Sequence, residues 1–279
     1  MMKCPLCNSI SERAFKGKGI WILDCNSCGH RFAEITADLG HVEKTYDDPY
    51  FYDGNAGYAD YTIEADQLRK RGRQYAKKIK KYVEPSRMLD VGAAAGFILK
   101  GFQDEGWNGI GLEPNASMVE YGRSELGLEM NIGTLEMFDK NERFDLVSMI
   151  QVVGHLFDPQ SAFESVRTIL SHGGWLLIES WDRDSFSARI LKKHWPEYSP
   201  PSVLHWYSHK SLVTYLSGLG FEEIACGRTL KKISGKRAKT LLQYRLGLKA
   251  LFSLIPDSLS LPYPSEDLFW ALFKYEGTD

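Results

Sequence analysis

The sequence predicts an α/β fold, a mostly parallel sheet covered by helices on both faces, preceded by a small cysteine-bearing unit. Three observations carry this reading. From Arg87 onward, short apolar runs alternate with stretches of helical spacing. A turn of small residues, Asp90-Val91-Gly92-Ala93-Ala94-Ala95-Gly96, joins the first such run to the first such helix. Four of the five cysteines fall in two tight pairs near the start of the chain, Cys4 with Cys7 and Cys25 with Cys28.

A chain of 279 residues with 43% hydrophobic and 25% charged residues suits one main globular domain with an appendage. The net charge of -2 gives no overall attraction to nucleic acid or to an anionic membrane. No apolar run approaches the roughly 18 residues of a membrane span. The start, Met1-Met2-Lys3-Cys4-Pro5, lacks a signal-peptide core, so a cytoplasmic location is expected.

Residues 1–35 read as a unit of their own. Cys4-x-x-Cys7 and Cys25-x-x-Cys28 are two knuckles whose separation suits a tetrahedral Cys4 zinc site. In a cytosolic protein such pairs are metal ligands rather than disulfides. The closed ligand set makes the zinc structural, folding a ribbon too small to have its own core. Free buried thiols are the competing reading. Cys226 lies alone in an expected strand and reads as a small core residue.

Residues 36–85 are aromatic and then basic. Tyr46, Tyr50, Phe51 and Tyr52 either cover a ligand or form a seam between the cysteine unit and the core, and both readings stand. A helix is expected from Glu64 to about Tyr82, carrying Arg69-Lys70-Arg71-Gly72-Arg73 and Lys77 to Lys81. Such runs are solvated helix faces or nucleic-acid contacts.

Residues 86–279 form the expected core. Strands are read at Met88–Val91, Gly109–Leu112, Phe144–Ile150, Trp175–Ile178, Glu222–Cys226 and Leu268–Tyr275. Helices are read at Phe97–Glu105, Ala116–Glu125 and Pro159–Leu170, the last with proline at its first position. A further helix follows Ser208, an N-cap residue, and an insertion at about 228–264 holds one helix around Ala238–Phe252. That helix is expected to pack on the sheet.

Small residues in the turn let the backbone approach a ligand, and the crevice beyond the strand ends of a parallel sheet is where ligands sit. Glu113 ends the second strand, one helix and one strand beyond Gly96, where a carboxylate accepts hydrogen bonds from both hydroxyls of a ribose. Small residues at 92, 94 and 96, in place of Gly-x-Gly-x-x-Gly, favour a single nucleoside over a pyrophosphate-bearing cofactor.

Asp90–Gly96, Glu113 and the stretch Phe144–Glu179 together resemble the class I S-adenosylmethionine-dependent methyltransferases, most closely the group that includes ubiquinone-biosynthesis and sugar-modifying enzymes. The resemblance implies a Rossmann-like sheet of seven strands with the last one antiparallel. It places Gly92 and Gly96 beside the methionine part of the cofactor and Glu113 on the ribose. Thr134 and Leu135 would flank the adenine, and Gln151 would end the fourth strand. Asp90, Ala94, Phe97 and Pro114 complete the implied cofactor set, with Ala94 standing where the family usually has glycine.

The family often carries Glu-His beside the methyl acceptor, and here Gly154-His155 occupies that place. His155 would take the proton of an acceptor hydroxyl, or serve only in structure. His205, in Pro200-Pro201-Ser202-Val203-Leu204-His205-Trp206-Tyr207-Ser208, resembles a family segment lining the acceptor pocket. The implied function is methyl transfer to a small-molecule, sugar or lipid-linked glycan acceptor. A cysteine zinc unit before this fold also resembles a ribosomal RNA guanine methyltransferase family, so RNA base methylation, with the ribbon recognising RNA, is the alternative. A regulatory protein that keeps the fold and binds a partner through its zinc unit is a third.

Overall fold

A computed structural model describes residues 2–52, 61–139, 141–229, 231–235, 256, 259–263 and 265–277. The chain begins with three antiparallel strands, β1 (Ser11–Gly17), β2 (Ile20–Cys25) and β3 (Arg31–Ala33). Two short helices follow, α1 (Leu39–Thr45) and α2 (Asp48–Tyr52). A 3-10 turn at Tyr61–Glu64 leads into α3 (Ala65–Ile79).

The alternating core then runs β4 (Arg87–Val91), α4 (Phe97–Gln103), β5 (Asn108–Glu113), α5 (Ala116–Leu126), β6 (Glu129–Ile132), β7 (Phe144–Ile150), α6 (Pro159–Ile169) and β8 (Leu170–Trp181). It ends with α7 (Phe186–Leu191), β9 (His205–Trp206), α8 (His209–Ser217), β10 (Phe221–Arg228), β11 (Lys231–Ser234), β12 (Ser260–Tyr263) and β13 (Leu268–Tyr275). The helix expected around Ala238–Phe252 lies outside the described residues. No described helix is long and apolar enough to cross a membrane.

Helix starts follow local chemistry. Asn115, Asp158 and Ser208 each accept a backbone N–H at the start of α5, α6 and α8, and Pro159 occupies the first turn of α6. The central strands are apolar on both faces because helices cover both faces.

Seven strands form one sheet in the order β10-β13-β8-β7-β4-β5-β6, with β13 antiparallel to both its neighbours. From β4 the chain winds outward through β5 and β6, then returns to place β7 on the other side. The carboxyl end of β4 is therefore the switch point of the sheet, where a crevice opens. On one face α3 lies against α4 so closely that a Cβ on Gly72 would stand 2.1 Å from the Ile98 carbonyl oxygen. That approach sets Arg71, one residue earlier, over the end of the sheet.

The cysteine unit is joined to this core. β3 pairs with β9, giving a four-stranded sheet β1-β2-β3-β9 whose last strand follows α7, far along the chain from the other three. Cys4, Leu6, Cys25 and Phe32 are buried in the same cluster as Val153, Leu156 and Tyr207. Residues 1–35, read from the sequence as a unit of their own, thus share a sheet and a buried cluster with the rest.

Candidate active site

A cavity of about 200 Å³ occupies the switch point. One side is made by Asp90, Gly92, Ala94, Glu113, Pro114, Thr134 and Leu135, and the other by Gln151 and His155. Tyr46, Tyr50, Phe51, Tyr61 and Arg71 complete its lining. Two residues of the implied cofactor set lie off the lining. Gly96 (φ +83°) caps α4, and Phe97 is buried with its ring against Tyr61 and Tyr121. Both sit behind the turn, since the chain has already entered the helix.

Glu113 organises the turn. Its Oε2 accepts the Ala94 N–H at 2.9 Å and its Oε1 accepts the Asn115 N–H at 3.0 Å. Ala94 has φ +49°, a left-handed backbone that an alanine adopts only when held there. Gly92, at φ +64°, has no such latitude: a Cβ would lie 2.6 Å from Val152 Cγ2. Burial pushes the Glu113 carboxyl up to about 7, against the pull of the two N–H groups. Burial also pushes Asp90 up to about 7, opposed by the Ser148 hydroxyl that donates to it at 2.5 Å. A ligand that donates hydrogen bonds to Glu113 would stabilise its ionised form.

The opposite wall is assembled over long range. His155 Nδ1 lies 2.7 Å from the Ser202 carbonyl oxygen, which only accepts, so Nδ1 carries the ring hydrogen. Tyr46 Oη lies 2.8 Å from the same nitrogen and donates to the same carbonyl at 2.8 Å. Nε2 then holds a lone pair and has no hydrogen-bond partner among the described residues. Burial lowers the His155 pKa, which keeps the ring neutral near pH 7.

Behind this wall stands a polar network that sequence reasoning missed. Glu179, fully buried near the end of β8, is bound by Arg71 and Tyr75 of α3. Gln151 Nε2 donates to it at 3.0 Å and Thr229 Oγ1 at 3.1 Å. Gln151 adopts φ +61° at the turn after β7. The signal was present: Arg71 and Tyr75 are four apart on a helix whose inner face carries Leu68, Tyr75 and Ile79, and Glu179 is an acid set in the apolar run of β8.

His205, expected to line the acceptor pocket, is not among the cavity-lining residues. Its Nε2 donates to the Leu156 carbonyl at 2.9 Å, leaving Nδ1 to accept from His30 Nε2 at 3.1 Å. Burial lowers its pKa to about 4, so both rings of this pair are neutral. His205 thus ties the N-terminal sheet to the loop that carries His155. Cys226, expected in the core, is exposed, because β10 is the edge strand of the sheet.

The four N-terminal thiols converge. Cys7 Sγ lies 3.4 Å from both Cys25 Sγ and Cys28 Sγ, and Cys4 Sγ lies 3.6 Å from Cys28 Sγ. The Leu6 and Ser27 N–H groups point at Cys4 Sγ and Cys25 Sγ, each at 3.4 Å. A tetrahedron with metal–sulfur bonds of about 2.3 Å has edges of about 3.8 Å, so this donor set fits a thiolate-bound metal.

A doubly wound sheet ordered in this way, with a strand-ending acid beside a small-residue turn at its switch point, defines the class I methyltransferase architecture. Residues 67–225 match the model of a family described as a methyltransferase domain. The chain belongs to that family. It is 26% identical over 160 residues to a ubiquinone biosynthesis O-methyltransferase of Rhodopseudomonas palustris (strain BisB18), covering 50% of this chain and 63% of the relative. A protein of the same name from Nitrobacter winogradskyi is 29% identical over 127 residues, covering 43% and 46% respectively. The chain thus spans less than two thirds of the length of these relatives. Among solved structures it resembles a methyltransferase of Thermotoga maritima described as S-adenosylmethionine-dependent and a possible histamine N-methyltransferase. There the TM-score is 0.54 and the identity 20%, over 86% of this chain and 100% of that one. The N-methyltransferase NodS of Bradyrhizobium japonicum, solved with S-adenosyl-L-homocysteine, aligns with TM-score 0.51 and 14% identity, over 75% and 87%.

Proposed function

We propose that this chain transfers a methyl group from S-adenosylmethionine to a hydroxyl of a small organic acceptor, a phenol, a sugar or a lipid-linked glycan. The observation that carries this reading is the pairing, in one cavity, of the Glu113 turn with a neutral His155 whose Nε2 has no hydrogen-bond partner among the described residues. When bound, S-adenosylmethionine supplies an electrophilic methyl on a sulfonium that leaves as the thioether. The chain's part is to bind, orient and exclude water.

Glu113 would accept from the ribose hydroxyls of the bound cofactor, and Thr134 and Leu135 would flank its adenine. Gly92 lets the backbone approach the methionine portion. The aromatic rings of Tyr46, Tyr50 and Phe51 cover the site. His155 Nε2 takes the acceptor's hydroxyl proton as the new carbon–oxygen bond forms, while Ser202 and Tyr46 fix the ring through Nδ1. Zinc held by Cys4, Cys7, Cys25 and Cys28 is assigned a structural role, since all four positions are filled by thiolates. The relatives named as O-methyltransferases favour an oxygen acceptor.

Of the basic residues behind the RNA reading, four arginines are engaged within the fold, Lys70, Lys77, Lys80 and Lys81 are exposed, and residues 236–239 lie outside the described residues. Arg69 and Arg73 both pair with Asp104, Arg71 is buried on Glu179, and Arg228 pairs with Asp182. Calorimetry with S-adenosylmethionine, followed by transfer of labelled methyl to a panel of phenols and glycosides, tests the proposal. Absence of cofactor binding would refute it. Transfer only to amines or to RNA would refute the hydroxyl acceptor.

A further inference from the structure

A second cleft, about 710 Å³ in volume, opens between the N-terminal sheet and the segment around α7. Arg31, Arg183, Arg189, Lys192 and Lys193 line it, and no acidic side chain does. Arg31 is fully engaged: its guanidinium grips Asp24 at 2.6 and 2.7 Å and donates to Tyr198 Oη at 2.6 Å.

Arg183 is not. Its Nη2 donates to the Gly29 carbonyl at 2.6 Å, but Nε and Nη1 are buried with no hydrogen-bond partner. The nearest carboxylate oxygen, Asp24 Oδ1, is 3.6 Å from Nη1 and already accepts from Arg31. Buried donors on a guanidinium are costly when left unmet, and five cations around one cleft repel one another. An anion with several acceptor oxygens relieves both at once.

The cleft has a second character. Ile190 and Leu191 of its lining are exposed by 60% and 41%, and Phe186, one turn before Ile190 on α7, is exposed by 71%. Large apolar side chains so exposed, next to cations, suit a ligand with an anionic and an apolar part.

We propose that this cleft is a binding site for a phosphate or diphosphate group, with the partly buried Arg183 as its inner anchor and Lys192 and Lys193 as its outer contacts. The group belongs either to a soluble phosphate ester or to a lipid whose chain rests on Phe186 and Ile190. The site is separate from the cavity at the switch point, so it stands or falls independently of the methyl-transfer reading.

The test is calorimetry of the full, zinc-loaded chain with inorganic pyrophosphate, in the absence of S-adenosylmethionine. Saturable binding is expected, weakened about tenfold by the double substitution Lys192→Ala, Lys193→Ala, as loss of charge-assisted contacts implies. Arg183→Lys, which keeps the charge and removes the guanidinium donors, should weaken it similarly. The lysine variant should keep its S-adenosylmethionine affinity, which separates a lost site from a lost fold. No saturable heat, or an affinity indifferent to both substitutions, overturns the proposal. Sedimentation with phosphatidylcholine vesicles, with and without phosphatidylglycerol, then assigns the source. Retention on the anionic vesicles that is lost in Phe186→Ser, Ile190→Ser supports a lipid phosphate. Pyrophosphate binding without retention supports a soluble ester.

Discussion

The two walls of the central cavity are built in different ways. The Glu113 wall comes from two consecutive strand–turn units, and its key hydrogen bonds join residues 2 and 19 apart in the chain. The His155 wall draws Tyr46, Arg71, Gln151, Glu179 and Ser202 from separate segments, across separations of 28 to 156 residues. The near wall is a local motif that any chain with the right spacing can form. The far wall exists only once α3, β8 and the loop before β9 have packed.

That contrast yields tests. The largest effect is expected at the far wall's buried ion pair. Arg71→Met leaves the Glu179 carboxylate buried without its cation, which should cost about 3–5 kcal/mol in chemical denaturation. A loss below about 1 kcal/mol would mean that the network is not a structural keystone of that wall.

His155→Asn should lower kcat by about a hundredfold or more while leaving the S-adenosylmethionine Kd unchanged. Because burial lowers the His155 pKa, the base is already neutral at pH 7. The wild-type rate should therefore hold as pH falls to the ordinary histidine value, and decline only below it. A variant with unaltered kcat would make His155 a structural residue.

Glu113→Gln acts on the near wall alone. Loss of charge-assisted bonds to a ribose should raise the cofactor Kd about tenfold to a hundredfold, read by calorimetry. Normal affinity would remove the ribose assignment.

Cys25→Ser should reduce bound zinc and thermal stability. Through the pairing of β3 with β9 and the contact of His30 with His205, it should also raise the acceptor KM more than the cofactor Kd. Equal effects on both would mean that the N-terminal sheet supports the fold without bearing on the acceptor wall.

The smallest effect concerns pH. His205 titrates at about 4 when folded and near 6.5 when unfolded, so between those values the unfolded chain binds more protons. Its contribution to stability is complete above pH 6.5 and is lost as pH falls toward 4. His205→Asn should therefore flatten the fall in Tm over that window. An unchanged slope would show that the imidazole is not buried neutral.

Most of the sheet was legible in the sequence, because a strand buried on both faces is written as a continuous apolar run. Phe144–Ile150 and Leu268–Tyr275 have the same limits in the structure as in the sequence reading. β6, four residues long and half exposed, carries no such pattern. β9 is only two residues long and exists because β3 pairs with it, so no local signal marks it.

By itself the sequence determined the near wall and the thiol cluster: a turn, a strand-ending acid and two Cys-x-x-Cys pairs are short-range patterns whose geometry follows from spacing. Tertiary structure decided the rest. His205 looked like a pocket residue by its place in the chain, yet packing turned it toward His30. Arg71 looked like one charge in a solvated run, yet the close approach of α3 to α4 at Gly72 sets it over Glu179. A side chain's partners across many tens of residues depend on how elements dock, and docking is settled by the burial of whole faces rather than by any local string of residues.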